Sequence, residues 1–448
     1  MLTVPDAQSR VHDLVAAAKA AGAAAADALY ACNASTSVSV RLGALEDVER
    51  SEGETIGLRL FVGRRSASVS SSDLSKSALA ALVDRALAMA REAPEDAWAG
   101  LAPEERLFRG PLPDVDGDDR AEVSPEALRA YALATEDAAR AVPGVANSEG
   151  ASASAGRTII ALATSHGFAG GYATSGHSCS ASVIAGEGAA MQRDSAYRSV
   201  RHLADLEDPE AIGRRAGERA VKRLDPVKLA SGSMPILFDP RVGAGLLGHF
   251  AGAITGAAIT RRTSFLLDAL DSRVFAPGII ITDDPLRARG LGSRPFDGEG
   301  LPTARRDLIA DGVLTGWLLD SASARQLGLQ PTGNATRGIG GPPGASTSNL
   351  FMAPGALSPA ELMKDVKRGL FVTELIGHGV NPITGDYSRG AAGFLIEDGE
   401  IGPPVAEITI AGNLRDMFRA IVPASDLEYR RATDVPTLRI DGMTIAGA

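Results

Sequence analysis

The residues with most chemical potential are few and scattered. His249 lies in the apolar stretch Gly-Leu-Leu-Gly-His-Phe-Ala-Gly-Ala-Ile-Thr-Gly (245–256), a setting that resembles a zinc-binding helix. Such a helix carries a second histidine about a turn away and an adjacent glutamate, because the metal needs several ligands and its bound water needs a base. Neither follows here. The histidines stand at 12, 166, 177, 202, 249 and 378, and no two lie within one or two helical turns. A lone helical histidine among apolar neighbours reads as a packing residue. Gly-His-Ser-Cys-Ser (176–180) is the nearest approach to a nucleophile elbow, offering Ser178 or Cys179. Its strand-like surroundings are wrong for a strained strand-to-helix turn, and no base is placed near either residue. The glycine-rich run 338–344 lacks the spacing and the lysine of a phosphate-binding loop. Asp283, Asp284, Asp297 and Glu299 have the oxygen chemistry of a hard-cation site. Within Asp-Asp-Pro and Asp-Gly-Glu-Gly turns they are expected to face water. Residue chemistry alone yields no complete active site.

The elements that would position these groups are legible in part. A chain of 448 residues exceeds one ordinary core, which points to two or three domains. A formal charge of −10 argues against a nucleic-acid surface, which needs clustered cations. The one basic run, Arg214, Arg215, Arg219, Lys222 and Arg223, is interleaved with Glu218 and reads as a solvated helix face. Two distant cysteines, Cys32 and Cys179, fit a reducing compartment without disulfides, and the expected location is cytoplasmic. The N-terminus reads as an amphipathic helix and not a signal peptide. The uncharged run 242–260 holds five glycines, a poor composition for a membrane span.

Apolar periodicity predicts helices over 6–22, 73–92 (capped by Asp73), 125–140 and 208–224. Strands are predicted over 36–42 and 54–70, with a hairpin around 166–171 and a half-buried strand over 174–183. The Pro/Asp/Gly-rich segment 94–120 reads as a domain link. Asp-Gly pairs at 311–312 and 398–399 predict tight hairpins. Ser358, Pro359 and Glu361 form a capping box for a helix expected to end near Gly369. The expected class is α+β. Helix and antiparallel-sheet units over 1–118 and 119–230 precede a larger β-rich domain over 231–448 that carries the glycine-rich helix.

The ordered motifs of the third unit resemble the TldD/PmbA family, and more closely its PmbA (TldE) branch. They are 245–256, Arg-Arg-Thr-Ser-Phe-Leu-Leu-Asp-Ala-Leu (261–270), Asp-Asp-Pro-Leu (283–286), 296–325, Pro-Thr-Gly-Asn-Ala-Thr-Arg (331–337), 346–352, 377–401, 407–414 and 436–447. Matches at 165–175 and 194–197 extend the resemblance into the second unit. In that family the TldD chain bears the metal, on a His-Glu-x-x-x-His helix completed by a cysteine near the C-terminus. Set on Leu246-Leu247, this chain has Gly248 and Ala253 at the two histidine positions and His249 at the glutamate position. No cysteine follows Cys179. The resemblance therefore implies that no metal is held in this chain. Ala244, Gly248, Gly252 and Gly256, at spacing four, are expected to form a ridge for close packing.

The resemblance implies a subunit of a TldD/TldE-type zinc metalloprotease that degrades or processes unfolded peptides, as in peptide-precursor maturation and antitoxin degradation. Zinc is expected in a TldD-like partner, while this chain is inactive alone and shapes the substrate cleft. Cleft contacts are expected from His378, Asn381, Thr384, Asp386, Ser388 and Arg389, and a strand edge could pair with the peptide backbone. A homodimer, no nucleic acid and no membrane complete the expected partners. The alternative is a non-enzymatic, self-associating peptide-binding or regulatory protein of the gyrase-modulator type. A hydrolase using Ser178 or Cys179 is a third, weaker reading.

Overall fold

The computed structural model describes residues 2–447. The fold is α+β. Its first sheet has six antiparallel strands in the order β3-β2-β1-β4-β5-β6, formed by β1 (Ala25–Arg41), β2 (Ala44–Val62), β3 (Arg65–Ser71), β4 (Val145–Thr164), β5 (Ala169–Ala185) and β6 (Gln192–Val200). The 1–118 and 119–230 segments thus share one sheet, joined along β1 and β4 from Asp27↔Thr164 to Val40↔Ala151. β1 starts eleven residues before the expected strand at 36. Its first half, Ala-Ala-Asp-Ala-Leu-Tyr-Ala-Cys, has small residues on both faces and so lacks the size alternation that marks a strand. The expected strand 54–70 is two strands, separated at Gly63, whose φ of 61° turns the chain.

Four helices cover one face of this sheet: α1 (Val4–Ala20), α2 (Lys76–Glu92), α3 (Pro125–Arg140) and α4 (Pro209–Lys222). Even-numbered β1 residues point to them, Ala26, Ala28, Tyr30 and Cys32 to the α1/α2 core and Val38 and Val40 to the α3/α4 core. Thr3 caps α1, two residues earlier than expected. Ser75 caps α2, and the carboxylate of Asp73, expected as the cap, accepts from the Ser75 amide at 2.8 Å. α4 lies close on α3 through Gly213, where a Cβ would come 2.0 Å from the Thr135 carbonyl.

The opposite face is covered by the link and by the C-terminal unit. Leu29 and Leu162 pack there with Ala102 and Leu107 of the link and with Phe168, Phe296 and Leu301. Arg325 donates to the carbonyls of Trp98, Leu101 and Gly100 at 2.8–3.1 Å. The segment 94–120 is therefore seated, not a loose tether. Asp27 is fully buried between Arg59 of β2, at 2.5 Å, and Arg337 of the C-terminal unit.

That unit runs through β7 (Gly232–Phe238), α5 (Pro240–Ala253), α6 (Gly256–Thr260), β8 (Ile281–Asp283), β9 (Arg306–Ala310), β10 (Val313–Leu314) and α7 (Ser321–Leu327). There follow β11 (Ala335–Thr336), β12 (Gly344–Ala345), β13 (Leu350–Met352), α8 (Pro359–Met363), β14 (Arg368–Ile376), β15 (Asp386–Glu397) and β16 (Glu400–Asn413). The last elements are α9 (Leu414–Ala420), β17 (Val422–Pro423), β18 (Thr433–Asp434) and β19 (Leu438–Ala446). β10, β9, β8, β13 and β18 form a small sheet; the larger follows the order β16-β15-β14-β7-β19-β17. β16 also pairs with β19, from Thr409↔Ala446 to Ala411↔Thr444, so the larger sheet closes on itself. Closure removes the free edges that a strand otherwise leaves.

Both Asp-Gly hairpins form. Their φ values, 47° and 78° at Asp311-Gly312 and 48° and 86° at Asp398-Gly399, are those of a type I′ turn. The capping box of α8 also forms, with Ser358 and Glu361 bonded reciprocally. α8 nevertheless stops at Met363 instead of near Gly369, because β14 has already begun at Arg368 and pairs with β15. No helix among the described residues is long and apolar enough to cross a membrane.

Candidate functional site

α5 carries the altered positions. Asp239 caps it, accepting from the Arg241 amide, and Pro240 opens its first turn. Its buried face of Gly243, Leu246, Leu247, Phe250 and Ala253 meets the core, where Phe250 packs edge-on against Phe275 with centroids 5.3 Å apart. Gly245, Gly248, His249 and Gly252 lie on the other side. The glycine ridge does not pack as the sequence suggests. A Cβ at Gly245, Gly248 or Gly252 would meet nothing within 4 Å, so this strip of the helix is bare. α5 ends at Ala253 and Thr255 caps the separate α6, so Gly256 leaves the ridge and packs against Ser323 instead. The helix break, invisible in spacing alone, is the reason for the difference.

His249 is half-buried, and its ring stands edge-on to Tyr387 at 6.2 Å between centroids. Burial, with the Arg389 guanidinium as a second cause, holds the imidazole below its ordinary pKa. Tyr387 is 2% exposed, its hydroxyl has no hydrogen-bond partner among the described residues, and burial pushes the phenol up to about 12. Tyr387 escaped the sequence reading although it lies between two candidates. An apolar ring in a polar loop reads as core.

The loop joining β14 to β15 is stitched together by its own polar groups. The Asn381 side chain accepts from the amides of Ile383 and Thr384, at 2.9 and 3.3 Å. The Thr384 hydroxyl donates to Asp386 at 2.6 Å, and the Asn413 amide donates to Asp386 at 3.0 Å. These bonds hold the Asp386 carboxyl below the usual carboxylate range. Arg389 donates to the Ile376 carbonyl at 3.3 Å. Asn381, Thr384 and Asp386 are thus occupied in shaping the loop. His378 and Ser388 are exposed. The structure brings His249, Tyr387 and Arg389 together beside the bare strip; Ala253 points into the core.

The acidic turn residues are not solvated as expected. Asp283, Asp297 and Glu299 are buried, at 1%, 1% and 4% exposure. Asp297 accepts from the amides of Glu299, Leu301 and Ala335, at 2.9–3.1 Å. Glu299 accepts from the Ser321 amide and hydroxyl at 2.8 and 2.7 Å, while Asp283 accepts from Ser348 and Asn334. Burial raises Asp297 to about 6 and Glu299 to about 7, the latter also through the charge of Asp297. They pin loops to the small sheet, and turn sequence cannot reveal that another segment covers them.

The residues at the altered positions do not fit a zinc ion. Gly248 has no side chain, Ala253 is buried and apolar, and the charged group acting on His249 is a cation. No cluster of three or more His, Cys, Asp or Glu suited to a metal occurs among the described residues. Cys179 is no nucleophile either. Its thiol faces α3, 2.9 Å from the Thr135 hydroxyl, and burial pushes its pKa up. Ser178 meets only the Ser199 hydroxyl, at 3.0 Å. His177 lies 3.3 Å from Asp119, which also faces His202 at 3.5 Å, so this pair of imidazoles fastens the link to β5.

This combination defines an α+β chain whose glycine-rich helix lacks metal-binding side chains. Residues 26–90, 118–224 and 231–447 match domain 1, the central domain and the C-terminal domain of the PmbA/TldA metallopeptidases. The chain belongs to the TldD/PmbA family. It is 43% identical over 413 residues to the metalloprotease PmbA of Escherichia coli O157:H7, covering 92% of this chain and 90% of that one. It is 37% identical over 416 residues, with the same coverage, to a metalloprotease PmbA homolog of Haemophilus influenzae. Among solved structures, a proposed modulator of DNA gyrase from Bacteroides thetaiotaomicron superposes with a TM-score of 0.91 at 28% identity, over 100% of both chains. TldE from Thermococcus kodakarensis shares the fold, with a TM-score of 0.87 at 22% identity over 98% of this chain and 100% of that one.

Proposed function

We propose that this chain is the metal-free member of a two-chain TldD/TldE-type zinc metalloprotease that cuts unfolded peptides. A TldD-like partner holds the zinc and the base, and this chain shapes the cleft around the substrate. The observation that carries the reading is the donor set at α5: Gly248 and Ala253 supply no ligand, and His249 is opposed by Arg389. Similarity to proteins named metalloprotease PmbA supports the reaction class. The bare strip of Gly245, Gly248 and Gly252, beside a loop held rigid by Asn381, Thr384 and Asp386, supports a role in close approach of another backbone. In this reading the exposed His378 and Ser388, with Arg389, contact the peptide. With the larger C-terminal sheet closed, strand-edge pairing falls to the first sheet or the small sheet.

The test is purification of this chain and a TldD-like chain, separately and mixed, with zinc content and cleavage of an unfolded peptide measured in each. Zinc is expected only where the TldD-like chain is present, and the mixture should cut faster than either chain. Chelator-sensitive cleavage by this chain alone would overturn the metal-free assignment. A mixture no faster than the TldD-like chain alone would overturn the shared protease.

A further inference from the structure

Six arginines converge on one cavity of about 300 Å³ between the first sheet's helical layer and the C-terminal unit. Arg198 comes from β6, Arg215 and Arg219 from α4, Arg241 from the first turn of α5, and Arg430 and Arg431 from the segment before β18. Part of the basic run that reads as a solvated helix face is therefore turned inward. Arg214 and Lys222 are exposed, but Arg215 and Arg219 line the cavity.

Most of the surrounding carboxylates are already engaged. Glu207 accepts from Arg215 at 2.5 and 2.9 Å. Glu428 accepts from Arg430 at 2.6 Å, and Asp194 and Asp239 accept from Arg241 at 3.1 and 3.2 Å. Asp426 is bonded to Thr437, and Oδ1 of Asp434 accepts from the amides of Arg430 and Arg431, while its Oδ2 has no hydrogen-bond partner among the described residues and lies 3.8 Å from Arg287. Among the described residues no carboxylate pairs directly with Arg198, Arg219 or Arg431, although Glu207, Glu428 and Asp434 act on Arg198, and Asp194 and Asp239 on Arg219, at longer range. Arg219 donates to the Ser195 carbonyl at 3.1 Å, and Arg431 donates to the Arg241 carbonyl at 3.0 Å while lying over the Tyr197 ring. Nη1 of Arg198 is buried without a hydrogen-bond partner among the described residues.

Removing a guanidinium from water without an anion is costly. Burial lowers the pKa of Arg198, and burial with the nearby Arg241 lowers that of Arg219 to about 10; the carboxylates near each do not offset the loss of water. An anion in the cavity would relieve all three arginines. A single carboxylate is a poor match for three cations. A phosphate group brings a charge of about −1.5 to −2 and three acceptor oxygens for planar guanidinium forks. The N-terminal end of α5, at the same cavity, favours negative charge as well.

We propose that this cavity binds a small phosphate-bearing ligand with two or more negative charges, bridging the central and C-terminal parts of the chain. His249 lies eight residues along α5 from Arg241, about 12 Å at the helical rise. The ligand therefore sits at one end of the helix whose other end bears the altered metal positions.

The experiment is calorimetric titration of the full chain, alone and at low salt, with inorganic pyrophosphate. Saturable one-to-one binding is expected, and R198M and R219Q should each weaken it about tenfold or more. R214Q, on the exposed side of α4, should change it by less than about twofold. Each variant's melting curve without ligand reports folding, and R219Q stands as an independent reading if R198M fails to fold. A titration with adenosine diphosphate identifies an organic phosphate if it binds tighter than pyrophosphate and an inorganic one if weaker. No saturable binding, or equal weakening by R214Q and R219Q, overturns the site. Tighter binding of tricarballylate than of pyrophosphate overturns the phosphate assignment. None of these results depends on the partner chain or on proteolysis.

Discussion

Replacing Gly248 and Gly252 together by alanine tests the bare strip of α5 in two ways. Alanine exceeds glycine in helix propensity by about 0.8–1 kcal/mol per residue. Neither added methyl meets an atom within 4 Å, so no steric cost opposes the gain. Gly252 lies in the last turn, which trims its share, leaving about 1.5 kcal/mol for the pair. For a unit of this size that raises the unfolding temperature by about 3–6 °C, read by circular dichroism on the chain alone. Gly256→Ala should do the opposite, because its methyl would come 2.1 Å from the Ser323 hydroxyl; a loss of about 1–3 kcal/mol follows from overpacking. In the mixture with a TldD-like chain, the stabilised double variant should cleave unfolded peptide more slowly, since the methyls occupy the space left for another backbone. Destabilisation of the double variant would refute the bare strip. Stabilisation with unchanged cleavage would refute its place in the cleft.

Three further outcomes follow from the same geometry. Glu299 has a folded pKa of about 7 against an ordinary 4.5, so the folded state holds its proton more tightly. Its contribution is fully present below pH 4.5 and lost as pH rises through 7, worth about 3 kcal/mol. E299Q removes that dependence, and denaturation curves from pH 4.5 to 8 should show the wild-type advantage shrinking; parallel curves would refute it. His249→Ala should leave the zinc content of the mixed complex unchanged, measured by atomic absorption, and loss of zinc would mean that the helix alignment is wrong. Arg325→Met removes three hydrogen bonds to the link carbonyls. Limited proteolysis should then cut within 94–107 faster than in the wild type, and an unchanged cutting rate would show that the link is held by its apolar contacts alone.

Local chemistry was readable wherever neighbours in sequence decide the outcome. Ser358 and Glu361 cap α8, Asp311-Gly312 and Asp398-Gly399 turn their hairpins, and α3 spans Pro125–Arg140 because Ser124 and Pro125 start it. The absence of zinc ligands at Gly248 and Ala253 is likewise a fact of composition that no folding could alter. Other features depend on residues far apart in the chain. β1 is a strand from Ala25 because β2 and β4 flank it on both sides, although its alanines carry little pattern. Asp297 and Glu299 are buried because Ala335 and Ser321 close over them, and turn sequence alone describes them as solvated. Tyr387 meets His249 only once β15 lies beside α5, and Arg198, Arg219 and Arg431 meet across one cavity only once the first sheet and the C-terminal unit are assembled. The sequence by itself determined the capping box of α8, the Asp-Gly turns and the residue types at 248 and 253, since these rest on the residues themselves or on contacts a few residues apart. Tertiary structure decided which polar groups lose water and which arginines gather at one cavity, because burial is a property of the surroundings and not of the residue.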